Sequence, residues 1–198
     1  MFKKLLISGS TLLLLAACNN TDESTKNTAT TTPSTEVNVG SGNVEQTTSE
    51  ISTNITEVTV SLQDAVAIFQ ESHPEAKIHS VDLDTSFGKY EYDVTGQEAS
   101  TEYEMTIDAE TKEVLKEETE TEVDREGTLD FSKIIEPSAA IEFASSVPET
   151  NELIPESWSL EADNGIQSYT VNFEKGRSEV EVEVNAETGE ILHVEIGG

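Results

Sequence analysis

Residues 107–115 read IDAETKEVL and residues 184–192 read VNAETGEIL, the same nine-residue phrase 77 positions apart. Outward from these phrases the register persists without a gap. A shift of 77 lays Leu83 on Leu160, Gly88 on Gly165, Tyr92 on Tyr169, Val94 on Val171, Ile107 on Val184 and Leu115 on Leu192. Agreement over this length marks an internal duplication rather than a recurrent turn. Each phrase follows an alternating segment and precedes a short apolar pair, which predicts a hairpin loop. Asp108 and Asn185 are suited to accept from backbone amides two residues on. Positions 112 and 189 call for the left-handed conformation, in which glycine carries no side-chain penalty.

Within each copy the apolar period changes from helical to extended. Leu62, Ala65, Val66 and Phe69 fall on one helical face, with Ser61 and Asp64 spaced as a capping box and Pro74 beyond the end. Three alternating segments follow, with Val81 and Leu83, then Tyr90, Tyr92 and Val94, then Tyr103, Met105 and Ile107 on the inward side. A short fourth strand is expected around Val114 and Leu115. In the second copy Ala140, Ile141 and Ala144 mark a helical stretch before Pro148. Its strands turn Trp158 and Leu160, Tyr169, Val171 and Phe173, and Val180, Val182 and Val184 inward. The helices align at a shift nearer 75. The expected fold class is therefore α+β: two tandem units in contact, each one helix on a three- to four-stranded antiparallel sheet, after a disordered N-terminal tether. Leu129, Phe131, Ile134 and Ile135 are expected to help join them, because a 60-residue unit buries only about 60% of its unfolded surface.

The helix, the His73-Pro74-Glu75 break, the segments Val81–Leu83 and Gly88–Val94, and the closing Asp108–Leu115 together resemble a PepSY domain. The second copy matches at Trp158–Glu161, Tyr169–Val171 and Asn185–Leu192. Lys112 departs from the usual hairpin glycine, and the second helix is short and flanked by proline. The resemblance spans about 58–119 and 129–198. It implies a noncatalytic module of the kind found in propeptides of secreted metallopeptidases and in envelope proteins, binding or restraining a peptidase, peptide or protein. It brings no catalytic residue with it.

The N-terminus implies an address. Lys3 and Lys4 precede a broken apolar run from Leu5 to Leu15, too short for the roughly 20 residues a membrane helix needs. Leu15-Ala16-Ala17-Cys18 resembles a lipobox, with small residues for the peptidase and the chain's one thiol for the lipid. Residues 1–17 then form a lipoprotein signal peptide, and Cys18 attaches the chain by lipid to the outer face of a cell membrane, expected to be that of a Gram-positive bacterium. An ordinary signal peptide ending beside a free cysteine is the alternative. Residues 18–57 are rich in Thr, Ser, Asn and Glu, have no aromatic residue, and read as a disordered tether. Residues 120–128 read as an acidic linker between a first domain at 58–119 and a second at 129–198.

Charge and motif content exclude several functions. The chain has 11 basic and 40 acidic residues, a net −29; without Lys3 and Lys4 the balance is 9 against 40, or −31. Such a field repels nucleic acid. His73, His79 and His193 occupy unrelated places, and the sequence lacks a His-Glu-x-x-His motif, paired cysteines, a phosphate-binding glycine loop or a Gly-x-Ser-x-Gly elbow. His79 shares the parity of inward Val81, while His193 alternates with Leu192 and Val194 and is expected to face outward. No enzyme activity, cofactor or metal site is expected. Carboxylates two apart on a strand lie about 6.5–7 Å apart, and calcium requires several converging oxygens. Glu102 and Glu104, with Glu179, Glu181 and Glu183, form outward combs suited either to solvent or to a basic partner segment. A structural or cation-binding acidic surface lipoprotein without a specific partner is the competing expectation.

Overall fold

A computed structural model describes residues 55–121 and 127–197; the signal peptide, Cys18, most of the tether and the middle of the acidic linker lie outside the described residues. The first copy contains α1 (Leu62–Ser72), β1 (Lys77–Ser86), β2 (Lys89–Glu98), β3 (Thr101–Asp108) and β4 (Val114–Thr121). The second contains α2 (Pro137–Ser145), a 3₁₀ turn (Pro148–Thr150), β5 (Ile154–Asp163), β6 (Ile166–Lys175), β7 (Ser178–Asn185) and β8 (Ile191–Gly197).

The expectation of two units, each with its own helix on its own sheet, is overturned. Among the described residues eight strands form one antiparallel sheet in the order β4-β3-β2-β1-β5-β6-β7-β8, with two short α-helices beside it. The seam is the pairing of β1 with β5: Val81 opposite Leu160, Asp82 opposite Ser159, and Leu83 opposite Trp158. Asp82 and Ser159 are themselves 77 apart. The axis relating the copies therefore passes through this pair, and the Ser159 hydroxyl donates to Asp82 Oδ1 at 2.5 Å. The arrangement is that of a symmetric dimer drawn within one chain. Its physical reason is the hydrogen-bonding edge of β1, which two separate sheets would leave open; joining β1 to β5 pairs it and merges two marginal cores into one.

The alternation in the sequence translates directly into burial. Val81, Leu83, Tyr92, Val94, Met105, Ile107, Trp158, Leu160, Tyr169, Val171, Val182 and Val184 are buried on the helix side. Trp158 lies between Tyr92 and Tyr169, both edge-on, with ring centroids 6.0 and 5.6 Å away. The two tyrosines repeat one device. Tyr92 Oη donates to the carbonyl of Val60 and Tyr169 Oη to that of Ile135, each at 2.9 Å. The amides of Val60 and Ile135 in turn bond to Ala109 and Ala186, so each helix entry is pinned to the end of its third strand. Ser61 and Asp64 complete the expected capping box of α1. Leu129 is buried, with Phe131, Ile134 and Ile135 packed against the core; Ile55, within the tether span, is buried as well.

The repeated phrase forms the expected turn twice. Asp108 Oδ1 accepts from the amides of Glu110 and Thr111, and Asn185 Oδ1 from those of Glu187 and Thr188. Lys112 has φ 68° and Gly189 φ 74°. The segments after the turn are longer than expected: β4 has eight residues, all exposed. Leu192 is not inward; it is the extra residue between Ile191, opposite Val184, and His193, opposite Glu183. A second irregularity between Ile78 and Ser80 frees His79 from the parity of Val81.

Candidate functional site

The two helices cover one side of the sheet and leave the other to polar side chains. Strand register places Lys116, Thr106, Asp93, Asp82, Ser159, Thr170, Glu183 and His193 in one row across all eight strands. The axis through Asp82 and Ser159 exchanges Lys116 with His193, Thr106 with Glu183, and Asp93 with Thr170. Such a row follows from the side-chain period of two, which turns every second residue of each strand to this face. Thr106 donates to Asp93 Oδ1 at 2.6 Å, and Asn172 donates to Ser157 Oγ at 2.9 Å in the neighbouring row.

All five glutamates singled out from the sequence belong to this face, but not to one site. Glu102 and Glu104 lie on β3 and Glu179, Glu181 and Glu183 on β7. Five strand spacings separate them, about 24 Å. Glu102 is buried, and its Oε2 lies 3.0 Å from Nε2 of His79, which the irregularity in β1 delivers to it. Glu104 is half-buried; burial, followed by the charges of Asp93 and Glu118, holds its carboxyl above the usual range. Lys116 opposes this shift and is itself paired with Glu118 at 2.5 Å. Glu179 is exposed, while Glu181 and Glu183 are half-buried. Cys18 lies outside the described residues.

The centre of the face was not anticipated as a site. Asp82, Asp93, Ser159 and Thr170 are ordinary outward residues until the sheet is assembled. No sequence signal marks this centre: every strand residue of the first copy has a counterpart 77 positions on, and only the pairing of β1 with β5 sets Asp82 opposite its own. The face offers hydrogen-bond acceptors, hydroxyls and negative charge across eight strands. Among the described residues there is no cluster of three or more His, Cys, Asp or Glu able to hold a metal ion. No helix among them is long and apolar enough to cross a membrane. What this face presents to solvent is charge and hydrogen-bonding groups.

Comparison with known proteins bears on what such a face serves. The family model described as "Peptidase propeptide and YPEB domain" (PepSY) matches twice, at residues 59–118 and 139–195. A crystal structure from Clostridium difficile 630, described as "a putative lipoprotein", superposes with a TM-score of 0.65 and 31% sequence identity, covering 72% of this chain and 98% of the other. Among curated proteins none matches the chain.

Proposed function

The chain belongs to the PepSY family, and from that premise we propose that it is a noncatalytic, lipid-anchored extracytoplasmic module whose open sheet face binds a secreted or envelope peptidase, peptide or protein. The observation that carries this reading is the continuous row from Lys116 to His193. The chain presents one uninterrupted polar face, with carboxylates on both sides of its centre, rather than two small separate ones. A broad face of this kind suits a basic protein surface, for which complementary charge raises the encounter rate and selects the partner. The likeness to the C. difficile protein and the lipobox at Leu15–Cys18 support attachment through Cys18 to the outer face of a membrane, with residues 18–54 as the spacer.

The test is cross-linking of the mature protein in its envelope, alongside an unrelated lipoprotein of equal charge. A peptidase or other partner retrieved by this chain alone, and lost when Asp82, Asp93 and Glu183 are replaced by their amides, supports the reading. The same set retrieved by both proteins overturns it. The anchor has its own test: Cys18→Ala releases the protein from membranes or leaves it unprocessed. Full membrane retention of a processed Cys18→Ala protein refutes lipid attachment.

A further inference from the structure

The last strand of each copy ends the sheet, and the two ends differ in kind. The helix side of β4 carries Val114, Glu117 and Thr119; the same places on β8 carry Ile191, Val194 and Ile196. β4 carries four charged side chains, Lys116, Glu117, Glu118 and Glu120. Glu117 Oε1 lies 3.2 Å from His73 Nε2, and Lys116 pairs with Glu118. His73 in turn stacks on Tyr103, with ring centroids 4.1 Å apart. Charges and polar residues along an exposed edge are how sheets discourage strand addition. β8 lacks this protection. Its one carboxylate is Glu195, Ile196 is 68% exposed, and Leu192 and Phe143 are also exposed. α2 packs on β6 and β7, and Phe143 lays its ring over Gly189 at the approach to β8. An apolar strip thus runs along the helix side of a strand whose outer edge no described strand pairs.

We propose that β8 is the edge at which an extended segment of the partner adds as a ninth strand, alternating apolar and basic residues. The proposal rests on the protein-binding reading above and gives that partner a sequence pattern. Strand addition supplies backbone hydrogen bonds, and alternate side chains supply selectivity. On the helix side the incoming residues meet Ile191, Val194 and Ile196, which selects apolar side chains. On the open side they meet His193 and Glu195, backed on β7 by Glu183 and Glu181 opposite these two and by Glu179 beyond, and the four carboxylates select lysine or arginine. The same charges disfavour a second copy of the chain, since each copy carries a net −29.

The experiment uses the full chain and a labelled synthetic peptide alternating Lys and Val, read by fluorescence anisotropy and amide hydrogen exchange. The expected result is binding, with new protection in residues 191–197, and none for a Glu/Val peptide of equal length. Installing the β4 residues on β8, as Val194→Glu with Ile196→Thr, is expected to weaken binding at least about tenfold. Ile196→Lys, at a mostly exposed position, gives the same direction if the double variant is poorly folded. Binding unchanged by these substitutions, or protection confined to β4 or to the row through Asp82, overturns the proposal. So does a concentration-dependent dimer through β8 that the peptide does not dissociate. If cross-linking retrieves a specific partner equally well with the β8 variants, the edge proposal fails while the broader reading stands. If the peptide adds at β8 but no specific partner is retrieved, the failure lies with the broader reading.

Discussion

In the first copy Phe69 of α1 reaches the sheet over Gly96, where an added Cβ would come within 2.9 Å of the ring. At the corresponding places the second copy has Ala144 on its helix and Phe173 on its strand, both buried. The phenyl ring has changed sides of the same interface. A second exchange occurs at the repeated turn. Gly189 lies under Phe143, whose ring leaves no room for an added Cβ; the first copy has Lys112 at the turn and the smaller Ile68 on the helix. The two copies therefore keep the volume between helix and sheet while redistributing it, as close packing requires. Strand register is common to both copies; the helix–sheet contact is one of the places where they have diverged, beside the edge strands β4 and β8.

These exchanges can be broken one side at a time. Gly96→Phe alone drives a second ring into Phe69 and is expected to cost more than about 3 kcal/mol. Adding Phe69→Ala reproduces the second copy's pairing and is expected to recover a large part of that loss. Chemical denaturation of the single and double variants measures the coupling, and simple additivity would show that the contact is not an exchange of volume.

Gly189→Lys, which places the first copy's residue under Phe143 at φ 74°, is expected to cost about 2–3 kcal/mol by the same measurement. The reverse change, Lys112→Gly, relieves up to about 1 kcal/mol of backbone strain. It also removes the ammonium 3.0 Å from Asp64, so its net gain is smaller than the turn geometry alone suggests. A Gly189→Lys protein as stable as the parent would show that Phe143 does not confine the turn.

The hairpin before each second strand offers a milder contrast. Phe87-Gly88 and Asn164-Gly165 share one geometry, with φ of 51° and 81° in the first and 49° and 79° in the second. Asparagine accommodates the left-handed region more readily than phenylalanine, and the Phe87 side chain is fully exposed. Phe87→Asn is expected to raise stability by about 1 kcal/mol, read as an upward shift in melting temperature. An unchanged or lowered midpoint would mean that the ring makes a compensating contact.

The smallest effect expected is at Glu104, whose counterpart is Glu181. Because the folded-state pKa of Glu104 is raised, the folded protein retains this proton to higher pH than the unfolded chain. Stability therefore falls as pH rises through the window just above the ordinary glutamate value. Glu104→Gln removes that loss. It is expected to be more stable than the parent near neutral pH, with the advantage disappearing below about pH 4, where both states of the parent are protonated. A pH-independent difference would assign the effect to packing instead.

The turn at 107–115, the face of α1 and the inward residues of most strands were legible in the sequence, because each depends on a local period or on the chemistry of a few neighbouring residues. His79 and Leu192 were not, because each lies at an irregularity that alternation does not reveal. Alternation gives the parity of the five glutamates, yet it does not say how many strands separate β3 from β7. The sequence alone determined the duplication, the strand parity and the acidic character of the outward combs. Only the tertiary structure decided that β1 joins β5 into one sheet, placed the axis on Asp82 and Ser159, buried Glu102 against His79, and left β4 and β8 as dissimilar ends. The physical reason is that hydrogen bonding across a strand edge is open to any partner of suitable register. Which edge is closed is settled by how two marginal cores bury their apolar surface together.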